Sequence, residues 1–149
     1  MLEALLGVVH RRWDTHTEVA VRRPSRGWID IVLHELHERV LVAAEVQSEL
    51  RRLEQLVRWS GEKAASLPSR DGWARLDEEP RTSQLLLVCR TRTTRAVAAE
   101  FARQLRVAFP AHPDDALAAL TGTAPWPGAA LVWAIVDGRD GHLIAGSRW

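Results

Sequence analysis

Lysine is almost absent from this chain: of its 20 lysine and arginine residues, only Lys63 is lysine. A guanidinium stays protonated, so nearly all the fixed positive charge can grip a carboxylate or phosphate but cannot accept a proton. Cysteine occurs once, as Cys89 inside an apolar run, which excludes a disulfide framework and a cysteine metal cage. That thiol reads as an inert core residue, and a reducing cytoplasm is the expected compartment. Tyrosine is missing and there are only 2 phenylalanines, so the aromatic content rests on 7 tryptophans. No apolar run reaches the roughly 18 residues of a membrane helix. The opening MLEALLGVVHRRW has neither the basic leader nor the cleavage site of a signal peptide. Net charge is +1, so no global basic field demands a polyanion. There is no internal repeat, no Ser/His/Asp set and no glycine loop for phosphates.

What is present is the pattern of an α/β domain. At 149 residues the chain reads as a single domain, 1–149, long enough to bury a core. Leu2, Leu5, Leu6, Val9 and Trp13 fall at helical spacing and predict a helix over 2–13. Its abrupt start suits a fragment whose upstream part is absent and equally a complete small protein. Strands are expected at 17–21, 28–33 and 40–46, separated by the RRPSRG turn and the HELHER connection. Val40 to Val46 is apolar almost throughout, as in a central strand buried on both faces. Ser48 can cap a helix running to about Leu67, with Arg51, Gln55, Arg58 and Glu62 on its polar side. A polar loop follows over Pro68 to Thr82. Gln84 to Cys89 reads as a buried strand, Arg90 to Arg95 as a polar turn, and Ala96 to Phe109 as an amphipathic helix. Asp114 to Leu120 reads as one or two helical turns. A hairpin is expected from 129–136 and 142–146 around the Asp137–Gly141 turn. The result is a mixed sheet in the order α-β-β-β-α-β-α plus a C-terminal β-hairpin.

The chemistry-bearing residues converge on the hairpin of the second and third strands. Asp30 interrupts one apolar run and Glu45 closes the next. A buried Glu45 is expensive unless it is paired or metal-bound. Two carboxylates on adjacent strands repel unless a cation lies between them, and a hard divalent ion would take oxygens from both. Gln47 shares the face of Glu45 because strand side chains alternate. The plain alternative for the acids is pairing with an arginine such as Arg26 or Arg58. For Gln47 it is a strand-end amide bonded to backbone, for Gln55 and Arg58 a solvated helix face, and for Arg90, Arg92 and Arg95 a charged turn. His34 and His37 have no third ligand near them to suggest zinc. Trp126 and Trp133 read as core.

The order helix-strand-strand-strand-helix-strand, with Asp on the second strand and Glu-x-Lys on the third, resembles the PD-(D/E)XK nuclease superfamily. That superfamily has the restriction-endonuclease-like fold and includes Holliday-junction resolvases and RecB-like nucleases. The matching residues are Asp30 and Glu45, with Gln47 at the lysine place. Gln55 and Trp59 resemble the Gln and aromatic pair that RecB-like members carry on the following helix. Glu3 lies where many members have an extra acid on the first helix. The resemblance covers about residues 2–95, leaving 96–149 as an extension. It implies a Mg²⁺- or Mn²⁺-dependent DNA endonuclease, a hydrolase of phosphodiesters, with Asp30, Glu45 and Glu3 as metal ligands. Gln47 would orient water, and Arg26, Arg51, Gln55, Arg58, Arg92 and Arg95 would contact DNA. A homodimer is the usual means by which one such site cuts both strands.

The departure is the missing lysine. Gln47 carries no charge and can only hydrogen-bond the attacking water. Some restriction enzymes of this fold work with Gln or Glu at that place. Lys63 lies about four helical turns beyond Gln47 and is expected not to reach the site. The alternative is therefore a non-catalytic binding or sensing domain of a DNA-associated transcriptional regulator. The Arg90–Arg95 turn and the helix beyond it also resemble a C-terminal domain of some actinobacterial helix-turn-helix regulators, which implies an upstream DNA-binding part absent from this chain. A third expectation is a dimerisation module that uses the C-terminal hairpin.

Overall fold

Among the described residues the apolar runs assemble into one six-stranded mixed sheet covered on both faces by five α-helices. The computed structural model describes residues 1–69, 80–137 and 140–144. Residues 70–79 of the expected polar loop, Gly138-Arg139 of the last turn and Ala145-Gly146 of the last expected strand lie outside them. The elements are α1 (Leu2–Val8), β1 (Trp13–Val21), β2 (Gly27–Glu35), β3 (Val40–Gln47), α2 (Leu53–Ser66) and a single 3-10 turn at Leu67–Ser69. There follow β4 (Arg81–Cys89), α3 (Arg92–Glu100), α4 (Ala102–Ala108), α5 (Pro113–Leu120), β5 (Ala130–Asp137) and β6 (Asp140–Ile144).

The strands lie side by side in chain order. β1, β2 and β3 form an antiparallel meander. β3, β4 and β5 run parallel, which requires the crossovers that α2 and then α3 to α5 supply. β6 closes the sheet as the antiparallel partner of β5. Alternation along the strands separates two cores. Val40, Val42, Ala44, Leu85, Leu87 and Val132 pack with Leu5 of α1 and Ala116, Ala119 and Leu120 of α5. On the other face Leu86, Val88, Leu131 and Trp133 pack under α2, α3 and α4, while Leu41, Ala43 and Ile29 pack under Ala64 and Leu67 at the far end of α2. Residues Val40 to Glu45 of β3 are all buried, as its apolar run predicts for a central strand.

The helices differ from the sequence expectation in four places. The first helix stops at Val8 and Trp13 already opens β1. There the His10 amide donates to the Leu120 carbonyl (2.8 Å) and the Trp13 indole to the Ala119 carbonyl (3.0 Å), so tertiary bonds to the end of α5 replace further helical ones. The second helix begins at Leu53 rather than near Ser48, after Arg52 in the left-handed region (φ 47°, ψ 54°). The Arg90–Arg95 segment is not a free turn, because α3 starts at Arg92 behind a Thr91–Thr94 capping box. The single helix expected over 96–109 is broken at Phe101, although Val97, Phe101, Leu105 and Ala108 do face inward.

Trp126 and Trp133 are core, as expected. Trp13 and Trp126 meet edge to face at 5.9 Å, the arrangement that aligns a ring edge with a neighbouring π-face. The Trp126 indole donates to the Ser83 hydroxyl (2.8 Å), and its backbone amide donates to Glu38 (2.8 Å). Arg12, between α1 and β1, pairs with that same Glu38 (3.4 Å), so Glu38 ties the β2–β3 connection both to the start of β1 and to the segment between α5 and β5. No helix among the described residues is long and apolar enough to cross a membrane.

Candidate active site

The site is built where β2 and β3 part. Their ladder runs from Glu35↔Val40 to Ile31↔Ala44 and ends there. At the next position the backbone partner is replaced by a side chain: Asp30 Oδ2 accepts the Val46 amide at 2.8 Å. Beyond Asp30 the apolar side chains of β1 and β2 change faces. Trp13, Ile31 and Leu33 pack in the core under α1 and α5, while Val19, Val21 and Ile29 pack in the core under α2. The switch falls between the pairs Thr17↔Ile31 and Val19↔Ile29, at Glu18, whose φ of 52° is a left-handed value. A non-glycine residue held there costs on the order of 1–3 kcal/mol, so the surrounding packing must impose it.

Glu45 follows Ala43 on the α2 face of β3 and is 5% exposed. Its partner is the chain's one lysine. Lys63 Nζ lies 2.8 Å from Oε1 and 3.0 Å from Oε2 of Glu45. The expectation that Lys63 stays out of reach is therefore wrong, and the reason is geometric. α2 is a crossover helix that returns over the sheet, so moving along it from Leu53 leads back across β3 rather than away from it. The lysine stem passes over Gly27, where a Cβ would stand 3.6 Å from its Cε. The arginine partners considered for the buried acid are elsewhere: Arg58 pairs with Glu62 on the exposed side of α2 (3.9 Å), and Arg26 is exposed in the β1–β2 turn.

Electrostatics at Glu45 are a contest. Burial pushes its carboxyl up from the usual value. The Lys63 hydrogen bond and charge pull it down, and the charge of Asp30 pushes it up again. A buried carboxylate crowded by a second is the situation that a hard divalent cation relieves, so the donor chemistry of Asp30 and Glu45 fits one. Both Glu45 oxygens already carry the ammonium, however, so a cation would have to take a share from Lys63. Among the described residues, no group of three or more His, Cys, Asp or Glu side chains gathers as a metal cluster.

In front of Glu45 opens a cleft of about 380 Å³, lined by Glu45 and Gln47 of β3, Arg51 and Arg52 of the loop, and Gln55, Trp59, Ser60 and Lys63 of α2. Asp30 does not line it. The Ser60 hydroxyl is buried in the wall without a hydrogen-bond partner. Gln47, Gln55 and Trp59 thus line the same cleft as Glu45. Arg51 lines the cleft too, paired with exposed Glu49. Glu3 does not join them. It is exposed on α1, whose Leu5 packs on the opposite face of the sheet, so it cannot serve as a third ligand to Glu45. Arg92 and Arg95 are exposed on α3, which begins just past the end of β4. Sequence reasoning missed Ser60 and set Lys63 aside, and Arg52 lines the cleft together with Arg51. A signal for Lys63 was present: Gln55, Trp59 and Lys63 recur every four residues and so share one helical face. Comparison with protein-family models, with curated proteins and with solved structures finds no match for this chain.

Proposed function

We propose that this domain is a metal-dependent DNA endonuclease of the PD-(D/E)XK type in which the amine is supplied from the helix, by Lys63, instead of from the strand. The contact of Lys63 Nζ with both oxygens of Glu45 carries this reading, because it puts an amine beside the acid where the strand offers only Gln47. Asp30 and Glu45 would hold Mg²⁺ or Mn²⁺, which when bound neutralises phosphate charge and makes a coordinated water more acidic. The Gln47 amide orients water by hydrogen bonding. Lys63 supplies the positive charge that favours hydroxide over water and offsets charge developing on the phosphate. Arg51, Arg52 and Gln55 hold the phosphates on either side; Arg26, Arg58, Arg92 and Arg95 would contact the DNA further out. Cutting both strands would need a homodimer.

A second reading rests on the same contact. A carboxylate already satisfied by an ammonium needs no metal, which suits a non-catalytic DNA-associated binding or sensing domain. Thermal unfolding under Mn²⁺ titration separates the two. On the catalytic reading Mn²⁺ raises the melting temperature of the unmutated protein and not of Asp30→Ala, and plasmid or branched DNA is cut. Absence of any metal-dependent shift would leave the binding reading in place.

A further inference from the structure

Beside the Glu45 cleft lies a second one of about 430 Å³, between the first turn of α2 and α3. We propose that it receives one unpaired nucleobase of the strand whose phosphate sits at Glu45 and Lys63, so that the substrate is a single-stranded or locally unpaired nucleic acid. This rests on the nuclease-like reading of the first cleft and adds the class of substrate.

The two clefts differ in chemistry in the way a nucleotide does. Arg51 and Lys63 line only the first, which suits a phosphate. The second has apolar walls from Leu50, Leu53, Val97 and Phe101, with Glu54 at its polar side. A phosphate is disfavoured beside that carboxylate, whereas a base is not. A base has flat faces that gain from apolar and aromatic contact, and an edge of donors that a carboxylate or amide can read. Arg52 and Gln55 line both clefts and form the partition between them. A guanidinium at that partition can reach the phosphate on one side and lie against the base on the other. Arg52 is held there in left-handed backbone (φ 47°), so its position is set by the fold. The volume falls in the range of small-ligand sites, about 300–1,000 Å³, and the base must leave its stack to enter.

The test is anisotropy titration with three fluorescent probes: a short oligodeoxythymidylate, a backbone of the same length lacking bases, and the oligodeoxythymidylate in duplex. The expected result is at least about tenfold tighter binding of the base-bearing single strand than of either other probe, the size of one base–aromatic contact. Phe101→Leu should remove most of that preference. Glu54→Gln, on an exposed position that does not threaten folding, should change the preference between the oligodeoxythymidylate and a fourth probe, an oligodeoxycytidylate of the same length. Equal binding of base-bearing and abasic strands, no binding of either, or a preference untouched by both variants overturns the subsite. Glu45→Gln separates the underlying reading: it should abolish metal-dependent cutting while keeping the base preference. Metal-dependent cutting without a base preference overturns the subsite alone. A base preference without any metal response upholds the subsite and overturns the nuclease reading.

Discussion

Lys63 and Glu45, 18 residues apart in the chain, form a two-oxygen ion pair with contacts of 2.8 and 3.0 Å. Their burial is unequal: the Glu45 side chain is 6% exposed and that of Lys63 is 21%. A lysine deprived of its partner can swing its head to solvent, whereas the glutamate cannot. Removal of the lysine should therefore hurt more. Lys63→Met is expected to destabilise by about 3 kcal/mol, at the low end for a broken buried pair, and Glu45→Gln by about 1 kcal/mol. Glu45→Leu combined with Lys63→Met should recover most of the loss, because no charge is left stranded. Urea unfolding of the three variants checks this. A larger loss in Glu45→Gln than in Lys63→Met would mean that the stranded ammonium is costlier than the stranded carboxylate, and small losses in both would mean that the pair is solvated.

Metal binding should compete with the same ammonium. If a divalent cation is held by Asp30 and Glu45, Lys63→Met removes its competitor for the Glu45 oxygens. Calorimetric titration with Mn²⁺ at neutral pH is then expected to show several-fold tighter binding in Lys63→Met, while cutting of DNA falls by two orders of magnitude or so, as when a preorganised charge is lost. Asp30→Ala should lose both. It should also lose stability, since the Val46 amide loses its acceptor. Weaker Mn²⁺ binding in Lys63→Met would argue against a shared site.

What the sequence made legible was whatever depends on local pattern. The apolar run Val40–Val46 announced a central strand, and the acid near its end marked a candidate site. Gln47 followed from alternation, and Gln55 with Trp59 from their resemblance to the Gln and aromatic pair of RecB-like nucleases. The partner of Glu45 was not legible by counting turns from Gln47, because the distance that matters is set by how α2 folds back over β3. Glu3 had a suitable place in the chain order, but its side of the sheet depends on where α1 docks, and α1 docks on the face away from α2. The break at Phe101 and the early start of α3 likewise come from interactions that periodicity does not encode.

The start of α3 offers a test of that kind. Thr91 caps the Thr94 amide (3.0 Å), and Thr94 returns a hydroxyl acceptor to the Thr91 amide (2.9 Å). The buried Thr94 hydroxyl also donates to the Cys89 carbonyl at 2.6 Å, fastening the helix to the end of β4. Thr91→Ala should lose about 1 kcal/mol, the usual worth of such a cap. Thr94→Val should lose about 1–2 kcal/mol, since it removes the hydroxyl's bonds to the Thr91 amide and the Cys89 carbonyl and leaves those two groups with their mutual 3.1 Å bond. Since Arg92 and Arg95 take their positions from this turn, Thr94→Val should also weaken DNA binding where those arginines take part. Thermal unfolding and DNA titration of the two variants provide the check.

His34 supplies the pH dependence. It lies on β2, 6% exposed, across from Asp14 of β1. Burial lowers its pKa from the usual value; Asp14 raises it, His16 on β1 lowers it, and Glu35 raises it, with burial prevailing. A histidine whose pKa is lower folded than unfolded binds more protons when unfolded over the interval between the two values. Its contribution to stability is thus complete above the unfolded value of 6.5 and is lost as pH falls through the folded value. His34→Gln should flatten this slope, so that the gap in stability between wild type and variant narrows as pH falls from about 7 towards 5. The slope from surface carboxylates is common to both proteins and cancels in the difference. Urea midpoints at a series of pH values give the comparison. A gap that stays constant on acidification would show that Asp14 and Glu35 cancel the effect of burial, and a gap that widens would show that they outweigh it.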